Sequence, residues 1–258
     1  MLRAFAVKVQ PRIHREAAQS AKSAKISRRK ILSCRQRIFE YYGSVFIRGF
    51  SCAASINKVK LERMKIGEPV VLDGRFVRLE PLTMGHVPAL AEVGLDPELW
   101  RWTTGHLATA EDMRKYVETA LEAQARGTVV PFATVEKASR RVVGSTRFGN
   151  IEAKDRRVEI GWTWVARPWQ RTVVNTEAKY MMLRHAFEAW GCLRVELKTD
   201  VLNVRSREAI ERIGAKQEGI FRKHMIAETG RVRDTVYFSI IDSEWPGVKR
   251  RLEEKLGL

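Results

Sequence analysis

The stretch of residues 158–179 constrains the fold most strongly, because within it the hydrophobic pattern changes from that of a strand to that of a helix. Alternation over its first eight residues predicts a strand with one buried face, carried by Val158, Ile160, Trp162 and Trp164. After a short loop, apolar residues recur every three or four positions from Thr176, which predicts an amphipathic helix with polar Glu177, Lys179, Arg184 and Glu188 on its outer side. A strand that leads into a helix N-terminus directs free backbone N–H groups at the space above the loop, which favours an anionic ligand such as a phosphate.

A further strand at residues 193–199 follows this helix, so the two strands are predicted to be parallel neighbours. The other predicted strands surround them: a hairpin at 70–82, two strands at 129–135 and 142–148, and a closing hairpin at 215–241. This order is neither a regular βαβ alternation nor an all-β run. The sequence therefore predicts an α/β (α+β) fold with a mixed sheet of about seven strands and helices inserted between some of them.

Positive charge is concentrated in the first quarter of the chain. Residues 1–64 contain 15 Lys and Arg against 3 Asp and Glu, whereas the remaining 194 residues contain 32 and 27. We predict that residues 1–63 form a basic, disordered leader, because they have no sustained apolar face, and that residues 64–258 form the domain. Three explanations stay open: a true start at Met64, a mitochondrial presequence in residues 1–50, and an arm that binds nucleic acid, which is the least favoured.

Composition argues against several classes of protein. No apolar run approaches the roughly 20 residues of a membrane helix, so no membrane association is expected. Cys34, Cys52 and Cys192 have neither metal-binding nor disulfide-framework spacing, so we expect no metal and a reducing compartment. Cys192 fits a buried, inert thiol. A cytoplasmic location follows from these features, with the mitochondrial matrix as the alternative if the presequence is real.

Three segments in order carry a resemblance to a known family: NTEAKY at 175–180, LRVELKTD at 193–200 and NVRSREAIERIGA at 203–215. They resemble the GCN5-related N-acetyltransferase (GNAT) family, in its RimJ/RimL-like branch of ribosomal-protein and other protein N-terminal acetyltransferases. The resemblance covers about residues 70–241. It implies a mostly antiparallel sheet flanked by helices, whose central parallel strand pair splays apart to form a cleft.

The same resemblance implies acetyl-coenzyme A as cosubstrate and a primary amine as acceptor, in a protein that is a monomer or a homodimer. Backbone groups at Trp164 and Val165 would pair with the pantetheine arm. The pyrophosphate would be held by backbone N–H groups of Gln170, Arg171, Thr172, Val173, Val174, Asn175 and Thr176. Asn203 would hydrogen-bond the arm, and the hydroxyl of Ser206 would protonate the departing thiolate.

A base is needed because the acceptor amine must be neutral to attack. Glu159 is the predicted base, since the central strand would carry it toward the cleft; the alternative is a solvated strand residue without a catalytic role. Glu196 and Asp234 are weaker choices and are better explained as partners of arginines. Trp100 and Trp102 lie where this family often builds its acceptor pocket.

The phosphate loop departs from the family pattern. Arg171 and Val173 stand where related loops often carry glycine, and a β-branched residue does not readily adopt the left-handed conformation. Two other functions therefore stay open. One is a non-catalytic module that binds or senses acetyl-coenzyme A, and the other is an acetyltransferase for small amines such as polyamines or antibiotics.

Overall fold

A computed structural model describes residues 70–258 of the chain. The predicted leader, the presequence, the nucleic-acid arm and the start at Met64 all lie outside these residues and stay predictions. Within the described range, no helix is long and apolar enough to cross a membrane. The same range contains no group of three His, Cys, Asp or Glu side chains that could hold a metal ion.

The described residues form eight strands and six α-helices, joined by three short helical turns. In chain order they are β1 (Leu72–Asp73), β2 (Val77–Pro81), a turn (Met84–His86), α1 (Val87–Gly94), α2 (Pro97–Trp100), α3 (Ala110–Ala125), β3 (Val130–Glu136), β4 (Arg141–Glu152), β5 (Arg157–Val165), a turn (Arg167–Trp169), α4 (Val173–Arg184), a wide turn (His185–Ala189), β6 (Arg194–Asp200), α5 (Val204–Arg212), β7 (Lys216–Ile226), β8 (Val232–Ile241) and α6 (Trp245–Leu256).

The strands form one sheet in the order β1-β2-β3-β4-β5-β6-β8-β7. All neighbours are antiparallel except β5 and β6, which are parallel because α4 crosses over between them. The predicted mixed, mostly antiparallel sheet with one parallel pair is confirmed. The sheet has eight strands rather than about seven, and both strands of the hairpin predicted at 70–82 are among them, as β1 and β2.

Two hydrophobic clusters cover the sheet. On one face, α4, α5 and α6 pack against the central strands, with Val158, Ile160, Val195 and Leu197 pointing into the cluster. A second cluster joins α1, α2 and α3 to the other side and includes Trp100 and Trp164. A capping box begins α3: the Thr109 side chain accepts the Asp112 N–H, and the Asp112 side chain accepts the Thr109 N–H.

Helix α4 is more deeply buried than its apolar pattern predicts. The pattern places Glu177 and Lys179 on its outer face, but their exposed fractions are only 1% and 5%. The Glu177 carboxylate accepts backbone N–H groups of Arg75, Phe76 and Val77 at 2.8, 2.7 and 2.6 Å. A Cβ at Gly74 would lie 2.6 Å from this carboxylate, so the turn before β2 requires glycine. Glu177 therefore fixes the β1–β2 hairpin to α4.

Replacing Glu177 with alanine is expected to lower the free energy of unfolding by about 2–3 kcal/mol, because buried N–H groups lose their acceptor. Urea unfolding measures this loss. The matched control is Glu211→Ala, since Glu211 is exposed on α5 and its removal leaves the hairpin intact. Equal stability of the two variants would mean that the contacts of Glu177 carry no net stabilisation.

Candidate active site

The cleft of the protein lies where β5 and β6 separate. Their parallel pairing runs only from Arg157–Arg194 to Glu159–Glu196, although β5 continues to Val165 and β6 to Asp200. On the other side of β5, Arg147 pairs with Gly161 but Ser145 pairs with Trp164, so β5 contains one extra residue. Such a bulge bends a strand, and here it accompanies a positive φ of 50° at Trp162. The splayed pair leaves backbone groups of both strands open to a ligand.

The N-terminus of α4 borders this opening. The helix begins at Val173, three residues earlier than predicted, and the Thr172 side chain caps it by accepting the Val174 N–H at 3.3 Å. The first four N–H groups of a helix have no intrahelical partner. Of the residues predicted to hold the pyrophosphate, Gln170, Arg171 and Thr172 therefore lie in the loop, whereas Val173, Val174, Asn175 and Thr176 form the first helical turn.

Of the two loop positions where related proteins often carry glycine, Arg171 and Val173, only one has a left-handed backbone conformation. Arg171 has a φ of 61°, whereas Val173 is an ordinary helical residue. The β-branched side chain is therefore compatible with this backbone. Gln170 also anchors the loop, because its side-chain amide donates to the Val165 carbonyl at 2.9 Å. This bond occupies one of the backbone groups that the resemblance assigned to the pantetheine arm.

Exchanging these two residues for glycine is expected to have opposite effects. Arg171→Gly should raise the free energy of unfolding by about 0.5–1 kcal/mol, because left-handed strain at a non-glycine residue outweighs the added chain entropy. Val173→Gly should lower it by a similar amount, about 0.5–1 kcal/mol, because it weakens the first turn of α4. Thermal or urea unfolding measures whether each variant is more or less stable than the wild type. If both variants are destabilised, Arg171 is not strained.

The start of α5 borders the opening from the β6 side. Asn203 caps this helix, with its Oδ1 accepting the Ser206 N–H at 3.1 Å. The Asn203 amide and the half-buried Ser206 hydroxyl make no hydrogen bond to another side chain within residues 70–258. Both side chains follow directly from the carboxyl end of β6, beside the place where β5 diverges. Arg207 lies on the same turn and donates to the Val201 carbonyl at 3.4 Å.

Glu159 is the last residue of β5 that pairs with β6, and its exposed fraction is 2%. It is therefore not the solvated strand residue that the alternative interpretation required. Lys198 Nζ and Asn150 Nδ2 contact its Oε2 at 2.8 and 2.5 Å. Its Oε1 faces Gly161, where a Cβ would lie only 2.7 Å away. The carboxylate thus sits at the start of the opening, with one oxygen ion-paired and the other directed toward a residue without a side chain.

A cavity of about 480 Å³ lies at the paired ends of β5 and β6; Asn150, which donates to Glu159, lines it, whereas Glu159 itself does not. The cavity is lined by residues of five strands: Asn150, Glu152, Arg157, Arg194, Glu196, Glu218, Gly219, Phe221 and Tyr237. Arg194 bridges Glu196 and Glu218, and its hydrogen bonds lower the pKa of Glu218 to about 2, so that this carboxylate stays charged. Glu196 is thus a partner of arginines, as predicted, whereas Asp234 instead accepts the Lys223 N–H.

Two aromatic residues assigned to the site lie mainly in the core. Trp164 packs against Trp100 with ring centroids 5.6 Å apart, and both are 5% exposed. Trp100 is therefore a core residue rather than an open pocket wall. Trp102 is half-buried under the Arg231 guanidinium. Cys192 is buried, and burial raises the pKa of its thiol to about 11, which suits an inert side chain.

One buried polar atom beside the opening lacks a partner within the described part of the chain, Asn175 Oδ1 in the first turn of α4. Trp164 Nε1 also lacks a partner there, but its ring packs in the second core cluster. Buried polar groups are nearly always satisfied, so the Asn175 oxygen indicates a missing polar partner. Together with the free helix N-termini and the splayed strands, it fits a long, polar ligand that ends in an anionic group, which is the chemistry of coenzyme A.

The periodicity does not reveal Lys179 as a residue near the site. Its Nζ contacts the hydroxyls of Thr146 at 3.1 Å and Thr163 at 2.5 Å, on β4 and β5. Burial lowers the pKa of this amine to about 7.

The fold and the cleft define the class of the protein, an acyltransferase with an open parallel strand pair. The chain belongs to the GNAT acetyltransferase family, whose acetyltransferase (GNAT) domain matches residues 77–216. The comparisons confirm the family and the RimJ/RimL-like branch that the motifs predicted.

Several relatives support this assignment. The chain is 33% identical over 106 residues to YdaF of Bacillus subtilis (strain 168), named as a candidate ribosomal N-acetyltransferase; the match spans 41% of this chain and 57% of YdaF. A candidate acetyltransferase from T. thermophilus is 37% identical, with a TM-score of 0.67, covering 73% of this chain and 97% of that one. Mycobacterium smegmatis RimJ in complex with CoA-disulfide shares the fold at 24% identity and a TM-score of 0.61, covering 72% and 92%.

Proposed function

We propose that the protein transfers an acetyl group from acetyl-coenzyme A to a primary amine by direct attack in a ternary complex, and that protein α-amino groups are the favoured acceptors. The observation that carries the proposal is the opening between β5 and β6, bordered by the N-termini of α4 and α5. Bound there, the thioester supplies an activated acyl group.

The chain's own groups would hold the cosubstrate along this opening. Free N–H groups of the first turn of α4 and of the loop before it suit the pyrophosphate, and Arg171 adds positive charge at the same end. The Trp164 and Val165 backbone and the Asn203 amide suit the polar pantetheine arm. Buried Asn175 Oδ1 offers an acceptor without a partner in residues 70–258.

Three features support a protein α-amine as the acceptor. The cavity of about 480 Å³, lined by the Glu159 partner Asn150, has room for a chain end as well as for an amine. An α-amino group, with a pKa near 8, loses its proton more easily than a lysine, so one carboxylate base suffices. The name of YdaF points to a ribosomal acceptor. In this proposal Glu159 takes the proton of the amine.

Ser206 is proposed as the acid that protonates the departing thiolate. Ser206→Ala is expected to lower kcat about 10- to 100-fold, because it removes a proton donor from the reaction, and to leave acetyl-coenzyme A affinity within about twofold. Steady-state kinetics and equilibrium binding separate these two effects. Wild-type turnover in this variant would remove Ser206 from the mechanism.

The acceptor is tested by measuring thiol release from acetyl-coenzyme A with a panel of peptides, polyamines and aminoglycosides. The proposal predicts turnover on peptides with a free N-terminus and none on the same peptides after N-terminal blocking. Turnover only on polyamines or aminoglycosides would establish the small-amine alternative. Tight cofactor binding without turnover on any acceptor would establish the sensing module instead.

The proposal also includes a cellular location and an oligomeric state. The relatives with named organisms are bacterial, which favours the cytoplasm over a mitochondrial compartment. A monomer or a homodimer is compatible with a cleft built from one chain.

A further inference from the structure

Lys179 brings a buried amine to the wall of the proposed cofactor cleft. It projects from the second turn of α4 across the sheet, and its Nζ lies 2.5 Å from Thr163 Oγ1 and 3.1 Å from Thr146 Oγ1. The two hydroxyl oxygens are themselves 2.8 Å apart. The three polar atoms therefore form one hydrogen-bonded cluster, linking α4 to β4 and to β5.

The cluster has no acidic member in the described part of the chain. The strands that pack on α4 present only the hydroxyls of Thr146 and Thr163 to Nζ. Glu177 of α4 is occupied by the β1–β2 hairpin, and Glu253 of α6 accepts from Tyr180. No carboxylate in the described residues can form an ion pair with an ammonium at this position. Its hydrogen-bond partners must therefore be uncharged groups such as hydroxyls.

Thr163 connects the cluster to the cleft. It lies on β5 beyond Glu159, the last residue that pairs with β6, and it is exposed whereas Thr146 is 1% exposed. When Lys179 is an ammonium, it donates to both hydroxyl oxygens, and the Thr163 hydrogen is left for another acceptor. Within the described residues its acceptors are Thr146 Oγ1 at 2.8 Å and the Gly161 carbonyl at 3.4 Å, and a carbonyl in the cleft would compete with these. When Lys179 is neutral, its lone pair can accept that hydrogen, and Thr163 then offers only lone pairs to the cleft.

We propose that Lys179 is a positioning residue whose ammonium orients the Thr163 hydroxyl as a hydrogen-bond donor to a carbonyl oxygen of the pantetheine or acyl portion of the cosubstrate. The inference rests on the proposed acetyl-coenzyme A site. It assigns a binding role to Thr163 and a supporting role to a residue that cannot itself reach solvent.

The arrangement predicts that cofactor binding takes up a proton. Burial lowers the pKa of Lys179 to about 7, so the free protein is partly neutral near this pH. A carbonyl acceptor in the cleft favours the ammonium and raises that pKa in the complex. Because the complex binds more protons than the free protein above about pH 7, affinity is expected to fall as the pH rises.

The test is isothermal titration calorimetry of the full chain with dephospho-coenzyme A, which lacks the terminal phosphate that titrates near neutral pH. Titrations at about pH 6 and about pH 9, in buffers with different ionisation enthalpies, give both affinity and proton uptake. For the wild type we expect the Kd to rise about threefold to tenfold over this pH range, which corresponds to the net free energy of one hydrogen bond. We also expect net proton uptake on binding near neutral pH.

Three variants separate positioning from packing. Thr163→Ser keeps the hydroxyl and should retain the affinity and the pH profile of the wild type. Thr163→Val and Lys179→Met should bind about threefold to tenfold more weakly at about pH 6 and lose most of the pH dependence and proton uptake. Circular dichroism and unfolding curves establish that each variant is folded.

Unchanged affinity and unchanged proton uptake in Lys179→Met would overturn the inference while leaving the proposed acetyltransferase intact. The same applies if Thr163→Val behaves as the wild type does. If the wild type binds neither dephospho-coenzyme A nor acetyl-coenzyme A at millimolar concentration, the proposed cofactor site itself fails, and the inference fails with it.

Discussion

Replacing Glu159 with glutamine is expected to lower kcat for a peptide acceptor about 10²- to 10⁴-fold, the usual contribution of a positioned base. Glutamine keeps the shape of the side chain but cannot take a proton from the amine. Since the Glu159 carboxylate is bound to Lys198 and Asn150 rather than placed at the N-terminus of α4, acetyl-coenzyme A affinity should change little. Steady-state kinetics together with cofactor titration measure both quantities.

The ion pair between Glu159 and Lys198 requires a second variant, because a buried charge that loses its partner destabilises a protein. In the double variant Glu159→Gln/Lys198→Met both charges are absent, so stability should recover relative to the single variant. Activity should remain low, since the base is still missing. Recovery of activity along with stability would show that Glu159 is structural and that the base lies elsewhere.

Replacing Lys179 with methionine is expected to raise the free energy of unfolding by about 3–5 kcal/mol at neutral pH. Methionine has a similar length and carries no charge, so it removes the cost of burying an amine whose pKa falls from 10.5 to about 7. Lys115→Met on α3 is the matched control, because Lys115 is exposed and its loss should change stability by less than about 0.5 kcal/mol.

The stability that Lys179→Met gains over the wild type should decrease as the pH rises. Between about pH 7 and pH 10.5 the unfolded chain binds a proton at Lys179 that the folded protein does not bind, so wild-type stability rises with pH across this window. The advantage of the variant is therefore largest at and below about pH 7 and disappears toward pH 10.5. Urea unfolding at several pH values measures it, and a pH-independent difference would show that Lys179 does not titrate in this way.

The β5–α4–β6 unit was predictable because two periodicities meet within it. Alternation marks β5, the three- and four-residue spacing marks α4, and the crossover between two strands makes them parallel. The predicted start of α4 is three residues too late, since β-branched Val173 and Val174 favour strands. Val174 is nevertheless buried four residues before Ala178 and extends the same apolar face of the helix. The cap by Thr172 is visible only in the backbone conformation.

The burial of Glu177 and Lys179 could not be predicted from the sequence. Periodicity assigns polar residues to the outside of a helix, but α4 is enclosed on nearly all sides. The Glu177 bond to Val77 joins residues 100 positions apart, and the Lys179 bond to Thr146 joins residues 33 apart. Such contacts depend on how the sheet brings distant segments together. The left-handed Arg171 was indicated only by the resemblance, which places glycine at this position, because arginine itself carries no signal for a positive φ.

The central claim is that acetyl-coenzyme A binds in the opening between β5 and β6. Hydrogen exchange detected by mass spectrometry tests it directly, by comparing the full chain with and without saturating acetyl-coenzyme A. We expect slower exchange in peptides that cover residues 160–165 and 170–176, and unchanged exchange in the β1–β2 hairpin at 72–81. Protection confined to other segments, or no protection when the cofactor is bound, would contradict the claim.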